Sequence, residues 1–120
     1  MSTGFTDAPS ETDFLAAFAV EPVESAPQDG FWCYSFESEG GDAVRLSFNA
    51  HERSVQTVYE SNGRAVCTVV HENAEQIRIN DEKGEVSITV EFAHGRDECR
   101  TQLRLRVLPE LEISWSSLRV

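Results

Sequence analysis

Three cysteines and three histidines are the residues of this 120-residue chain best suited to hold a metal or attack a carbonyl. Their spacing favours neither use. Cys67 and His71 lie in the run R-A-V-C-T-V-V-H, where a strand would put both on one face. Zinc sites draw on closely spaced cysteine pairs or a helical histidine pair, and neither pattern occurs. Cys33 and Cys99 are remote in sequence, and His51 and His94 fall in polar connectors. Core cysteines and surface histidines are the expectation, with no metal and no cofactor. A nucleophile, base and orienting acid can be assembled from Cys99, His94 and Asp97, but all three crowd one segment, A-H-G-R-D-E-C. A working nucleophile needs its base fixed by a rigid scaffold, and acidic neighbours dull a thiol. No spacing singles out one pair of carboxylates for acid–base work. Gly40-Gly41 runs into Asp42, the wrong charge for a phosphate cradle. No catalytic residue emerges, and the chain reads as non-enzymatic.

Charge is the more informative property. The net charge is −11, and residues 1–44 hold nine carboxylates with no Lys or Arg. All ten basic residues lie from Arg45 onward, and Lys83 is the only lysine. Such a balance repels nucleic acid and anionic membranes and favours a basic protein partner. No apolar run is long enough for a transmembrane helix, and the N-terminus carries no signal-peptide pattern. An odd number of widely spaced cysteines then points to reduced thiols and a cytoplasmic location.

The elements that must position these charges follow from periodicity. Residues 1–9 read as a disordered leader, and 10–20 as a short helix. Ser10 caps it, Asp13 reaches back, and Phe14 and Phe18 form its apolar stripe. A helix that short must dock on something. A connector over 21–30 leads into a β domain over 31–119. Trp32, Tyr34 and Phe36 share one face of the opening strand; both faces start apolar, as if the helix covered one of them. Asn62-Gly63 supplies the positive φ angles of a tight hairpin. Arg100 to Trp115 reads as two strands with Pro109 at the corner, Leu103, Leu105 and Val107 alternating with Gln102, Arg104 and Arg106. About eight short antiparallel strands result. They form a meander that must bend, close into a barrel or fold into a two-layer sandwich, and the strongly bent or barrel-like form is favoured, with the helix on one opening. The chain is one domain.

Two surface features remain. Arg45, Arg78, Arg104 and Arg106 interleave with Glu91, Gln102 and Glu112, a pattern for cross-strand ion pairs. Glu37, Glu39 and Asp42 at the first turn, and Asp81 and Glu82 at another, are the candidate partner-binding residues, because carboxylates on exposed turns steer a cationic partner.

With the helix F-L-A-A-F-A-V-E-P, the opening strand F-W-C-Y and the closing L-E-I-S-W, the chain resembles small bacterial polymorphic-toxin immunity proteins. The resemblance implies a cytosolic, non-enzymatic inhibitor that binds and neutralises one toxin domain, and it assigns no individual residue. The alternatives are a small-molecule carrier of the β-barrel kind and a structural or oligomeric β domain. An edge strand also offers a route to pairing with a second copy.

Overall fold

The structure, a computed structural model, describes residues 8–92 and 99–119. Helix α1 (Glu11–Phe18) is followed by β1 (Glu24–Ala26), a 3-10 turn over Pro27–Asp29, and strands β2 (Phe31–Glu37), β3 (Asp42–Asn49), β4 (Ser54–Ser61) and β5 (Arg64–His71). Then come β6 (Ala74–Glu82), β7 (Glu85–Phe92), β8 (Cys99–Leu108) and β9 (Glu112–Arg119). The strands form two antiparallel meanders, a five-stranded sheet ordered β1-β2-β3-β4-β5 and a four-stranded sheet ordered β6-β7-β8-β9.

The fold is thus mainly β with one N-terminal helix, and the favoured barrel does not form. The break falls between β5 and β6. Asn73 takes a φ of 64°, and the Ala74 N–H donates to the Arg53 carbonyl at 2.9 Å, so the start of β6 is tied to the β3–β4 turn. With no ladder joining β5 to β6, the sheets stay separate and no ring closes. The carrier reading loses its barrel with it.

Alternation decides which residues reach the core. Trp32 pairs with Phe48, Tyr34 with Leu46 and Phe36 with Val44 on the inner face of the first sheet. On the second, Val90 pairs with Ile77 on one side and Leu103 on the other, and Ile88 pairs with Leu105. These side chains form a single buried cluster.

Helix α1 belongs to that cluster. Ser10 caps it in both directions, its Oγ accepting from the Asp13 N–H at 3.2 Å and its own N–H donating to the Asp13 carboxylate at 2.8 Å. The helix stops at Phe18, short of the expected 20, because Ala19 turns left-handed at φ 58° and its N–H closes on the Leu15 carbonyl at 2.9 Å. Phe14 is fully buried, and Trp32 Nε1 donates to Glu11 at 2.9 Å. The helix therefore lies on the inner, aromatic face of β2. The outer face of that strand holds Cys33, beneath Arg45.

The connector expected over 21–30 is not wholly irregular. Val23 donates to the Cys33 carbonyl at 2.8 Å, and β1 pairs Glu24 with Cys33 and Ala26 with Phe31. This brings the strand number to nine. Most of the expected leader (1–9) and residues 93–98, which include His94 and Asp97, lie outside the described residues.

Candidate partner-binding surface

The β2–β3 turn carries the first three candidate acids. Its backbone is closed by the Ser38 N–H donating to the Asp42 carbonyl at 2.8 Å, and by Ser38 Oγ accepting from the Asp42 N–H at 3.2 Å. Gly41 sits at φ 93°, and a Cβ there would meet Asn62 Oδ1 at 2.8 Å. The Asn62 N–H donates to the Gly41 carbonyl at 3.0 Å, which latches the β2–β3 turn to the β4–β5 turn beside it. Asn62 and Gly63 have φ angles of 53° and 80°, the positive pair expected for this hairpin. Two hairpin tips thus form one braced ledge.

Glu37 and Glu39 stand exposed on it, whereas Asp42 is half-buried. The Tyr59 hydroxyl hydrogen-bonds the Asp42 carboxylate, which pushes the Tyr59 pKa up. Asp42 already has an internal task, so Glu37 and Glu39 are the freer pair.

Asp81 and Glu82 lie at the other end of this division, on the β6–β7 hairpin of the second sheet, and each borders a different hollow. Asp81 helps line a cleft of about 420 Å³ between α1 and β6, with Asp13, Ala16, Ala17 and Arg78. Glu82 lines a polar trough of about 280 Å³ on the outer face of the second sheet, with Asn80, Glu85, Ser87, Thr89 and Arg104. In the trough, Asn80 Nδ2 donates to Thr89 Oγ1 at 2.8 Å and more distantly to Ser87 Oγ at 3.4 Å. Ser87 and Thr89 are buried although they face away from the core, because the long side chains around them form its walls.

Those walls are ion pairs. Arg78 meets Glu91 at 2.6 Å, Arg104 meets Glu85 at 2.8 Å, and Arg106 reaches Glu85 at 3.7 Å and Glu112 at 3.5 Å. The Arg78–Glu91 and Arg106–Glu112 pairs follow from sequence alternation. Glu85 was not singled out there, because it sits at a strand start beside a turn and shows no alternation of its own. With the guanidinium groups answered inside the sheet, this face is closer to neutral than the acidic ledge.

Cys33 is buried on the outer side of β2, and burial pushes its thiol up against the opposing pull of Arg45. Cys67 is exposed on β5, while His71, on the same inner face, packs on Phe92 with ring centroids 4.8 Å apart. Among the described residues no three His, Cys, Asp or Glu side chains converge as metal ligands. No helix among them is long and apolar enough to cross a membrane.

Two exposed apolar features escaped the sequence. Val66 and Val70 stand open on β5, and Trp115 is 39% exposed on β9. Alternation identifies two faces of a strand; it does not show whether a facing sheet extends far enough to cover one of them.

No family model and no curated protein matches the sequence. Among solved structures, the fold is similar to that of a chain in a contact-dependent growth inhibition toxin–immunity protein complex from Klebsiella pneumoniae 342. The TM-score is 0.83 with 20% identity, over 98% of this chain and 100% of that one. At that identity the likeness is one of fold.

Proposed function

We propose that this chain is an immunity-type inhibitor: a non-enzymatic, acidic protein that binds one cognate toxin domain in the cytoplasm and blocks it by covering it. The observation that carries this reading is the end-to-end fold likeness to a chain of a toxin–immunity complex. Charge then selects the half of such a pair. A net charge of −11 suits a protein that covers a cationic surface, and it ill suits one that must approach nucleic acid or an anionic membrane.

Inhibition of this kind needs no chemistry of its own. It needs a rigid surface, and the latched β2–β3 and β4–β5 turns supply one at low ordering cost. Glu37 and Glu39 project from that ledge as the leading contacts, Asp42 braces it, and Asp81 and Glu82 extend the acidic surface from the second sheet. Carboxylates so placed accelerate encounter with a basic partner and set its orientation. The partner is accordingly a basic toxin or enzyme domain.

Co-purification tests the proposal. The full chain, mixed with its cognate toxin domain, sought among the genes next to its own, should elute as a stable complex. Replacing Glu37 and Glu39 by Gln should slow association and flatten its salt dependence. Failure of the two to associate at low salt would end the reading. A chain that arrests growth when expressed alone would reverse the assignment to the toxin half.

A further inference from the structure

β5 is an edge strand of the first sheet, and six of its eight residues are exposed. Arg64, Ala65, Val66, Cys67, Thr68 and Val70 all face solvent, with Val66 63% and Val70 58% exposed. An edge presents a row of backbone donors and acceptors without strand partners, and proteins guard such rows with lysine, proline or bulges. β5 has neither lysine nor proline. It has one bulge, at Val66, where the register slips between Tyr59–Cys67 and Glu60–Ala65; from Cys67 to His71 the ladder is regular.

We propose that β5 pairs antiparallel with β5 of a second copy of this chain, across a two-fold axis at Thr68, joining two five-stranded sheets into one. Electrostatics selects this occupant and this edge. The other edge strands all carry carboxylates: Glu24 on β1, Glu75, Asp81 and Glu82 on β6, and Glu112 on β9. Arg64–His71 carries none, so it is the edge at which two chains of charge −11 approach with least repulsion. A basic toxin gains nothing from an acid-free strand that begins with arginine.

The register is self-complementary. Two residues either side of Thr68, the axis brings Val66 of one copy beside Val70 of the other, the two most exposed valines among the described residues. Thr68 and Val70 point to the outer face with Val58 and Gln56, whereas the bulge at Val66 interrupts the alternation there. The two-fold axis repeats each contact, as an isologous interface requires.

Sedimentation of the full chain without any toxin tests this, independently of the function proposed above. Between about 1 and about 300 µM the wild type should move from 13.4 kDa towards twice that mass. Thr68→Lys should weaken association by about ten-fold or more, since it sets two like charges against each other at the axis. Val70→Lys should leave monomer, with the circular dichroism of every variant unchanged because all these positions are exposed. A wild type that stays at 13.4 kDa throughout overturns the proposal. So does a Thr68→Lys variant that associates as tightly as the wild type. Loss of toxin binding on Val70→Lys in a monomeric wild type would give the edge to the toxin instead.

Discussion

Phe14 of α1 lies face to face with Tyr34 of β2, ring centroids 3.9 Å apart and planes inclined by 16°. The contact extends to Phe48 at 6.2 Å, and Phe18 meets Phe36 edge-on at 5.1 Å. A helix of eight residues has little stability of its own, so this aromatic stack is what makes α1 part of the fold. Phe14→Ala should therefore cost about 3–5 kcal/mol in urea unfolding, the range for a fully buried phenylalanine. A loss under about 1 kcal/mol would mean that the helix is not docked in solution.

Core and edge should separate in the same assay. Leu105 is fully buried in β8, and its partner Ile113 on β9 is only half-buried. Leu105→Ala should cost about 2–5 kcal/mol and Ile113→Ala clearly less, because a partly exposed site loses less contact and leaves no sealed cavity. Equal losses would indicate that the open side of β9 is covered in solution.

Arg104 makes a 2.8 Å pair with Glu85, but the two side chains are 50% and 35% exposed. Water screens such a pair. Arg104→Ala should change stability by no more than about 1 kcal/mol, with the difference shrinking as salt is added. A larger, salt-independent loss would show that the trough walls hold the second sheet together.

High pH should unfold the protein through a named residue. Burial pushes the Tyr34 hydroxyl up to about 12 from its ordinary 10.0. The unfolded chain thus releases this proton first, and between those values it binds fewer protons than the folded one. The contribution is fully present below pH 10 and is lost as pH rises toward 12, roughly 2–3 kcal/mol in all. The raised Cys33 and Tyr59 act in the same direction. Thermal melts from pH 8 to 12 should show the fall, and Tyr34→Phe should flatten it. An unchanged slope in that variant would assign the effect elsewhere.

Much of the fold was legible in the sequence because it rests on local rules. Alternation placed Tyr34, Leu46, Val90 and Leu105 inside, Asn62-Gly63 marked its hairpin, and Ser10 with Asp13 marked the helix start. β1 was not legible: Glu-Ser-Ala has no apolar alternation, and its place is set by backbone bonds to β2. A two-layer form was among the alternatives, but the choice of it and the place of the break were not legible, because a left-handed Asn73 and one bond from Ala74 to Arg53 decide them. The openness of β5 was hidden as well: the run Arg64 to His71 reads as the return strand of the Asn62-Gly63 hairpin, and no pattern in it says that nothing among the described residues covers most of it. The acidic turns stand exposed, as their composition implies. That Asp42 is held by Tyr59 while Glu37 and Glu39 are open depends on side-chain contacts no spacing reveals.

The central claim is neutralisation of a toxin, and bacterial growth reads it directly. Cells induced for the candidate cognate toxin domain are followed with and without co-expression of the full chain. Growth should be restored by the wild type and only partly by the variant with Glu37 and Glu39 replaced by Gln. Cells that die equally with and without a folded, expressed wild-type chain would contradict it.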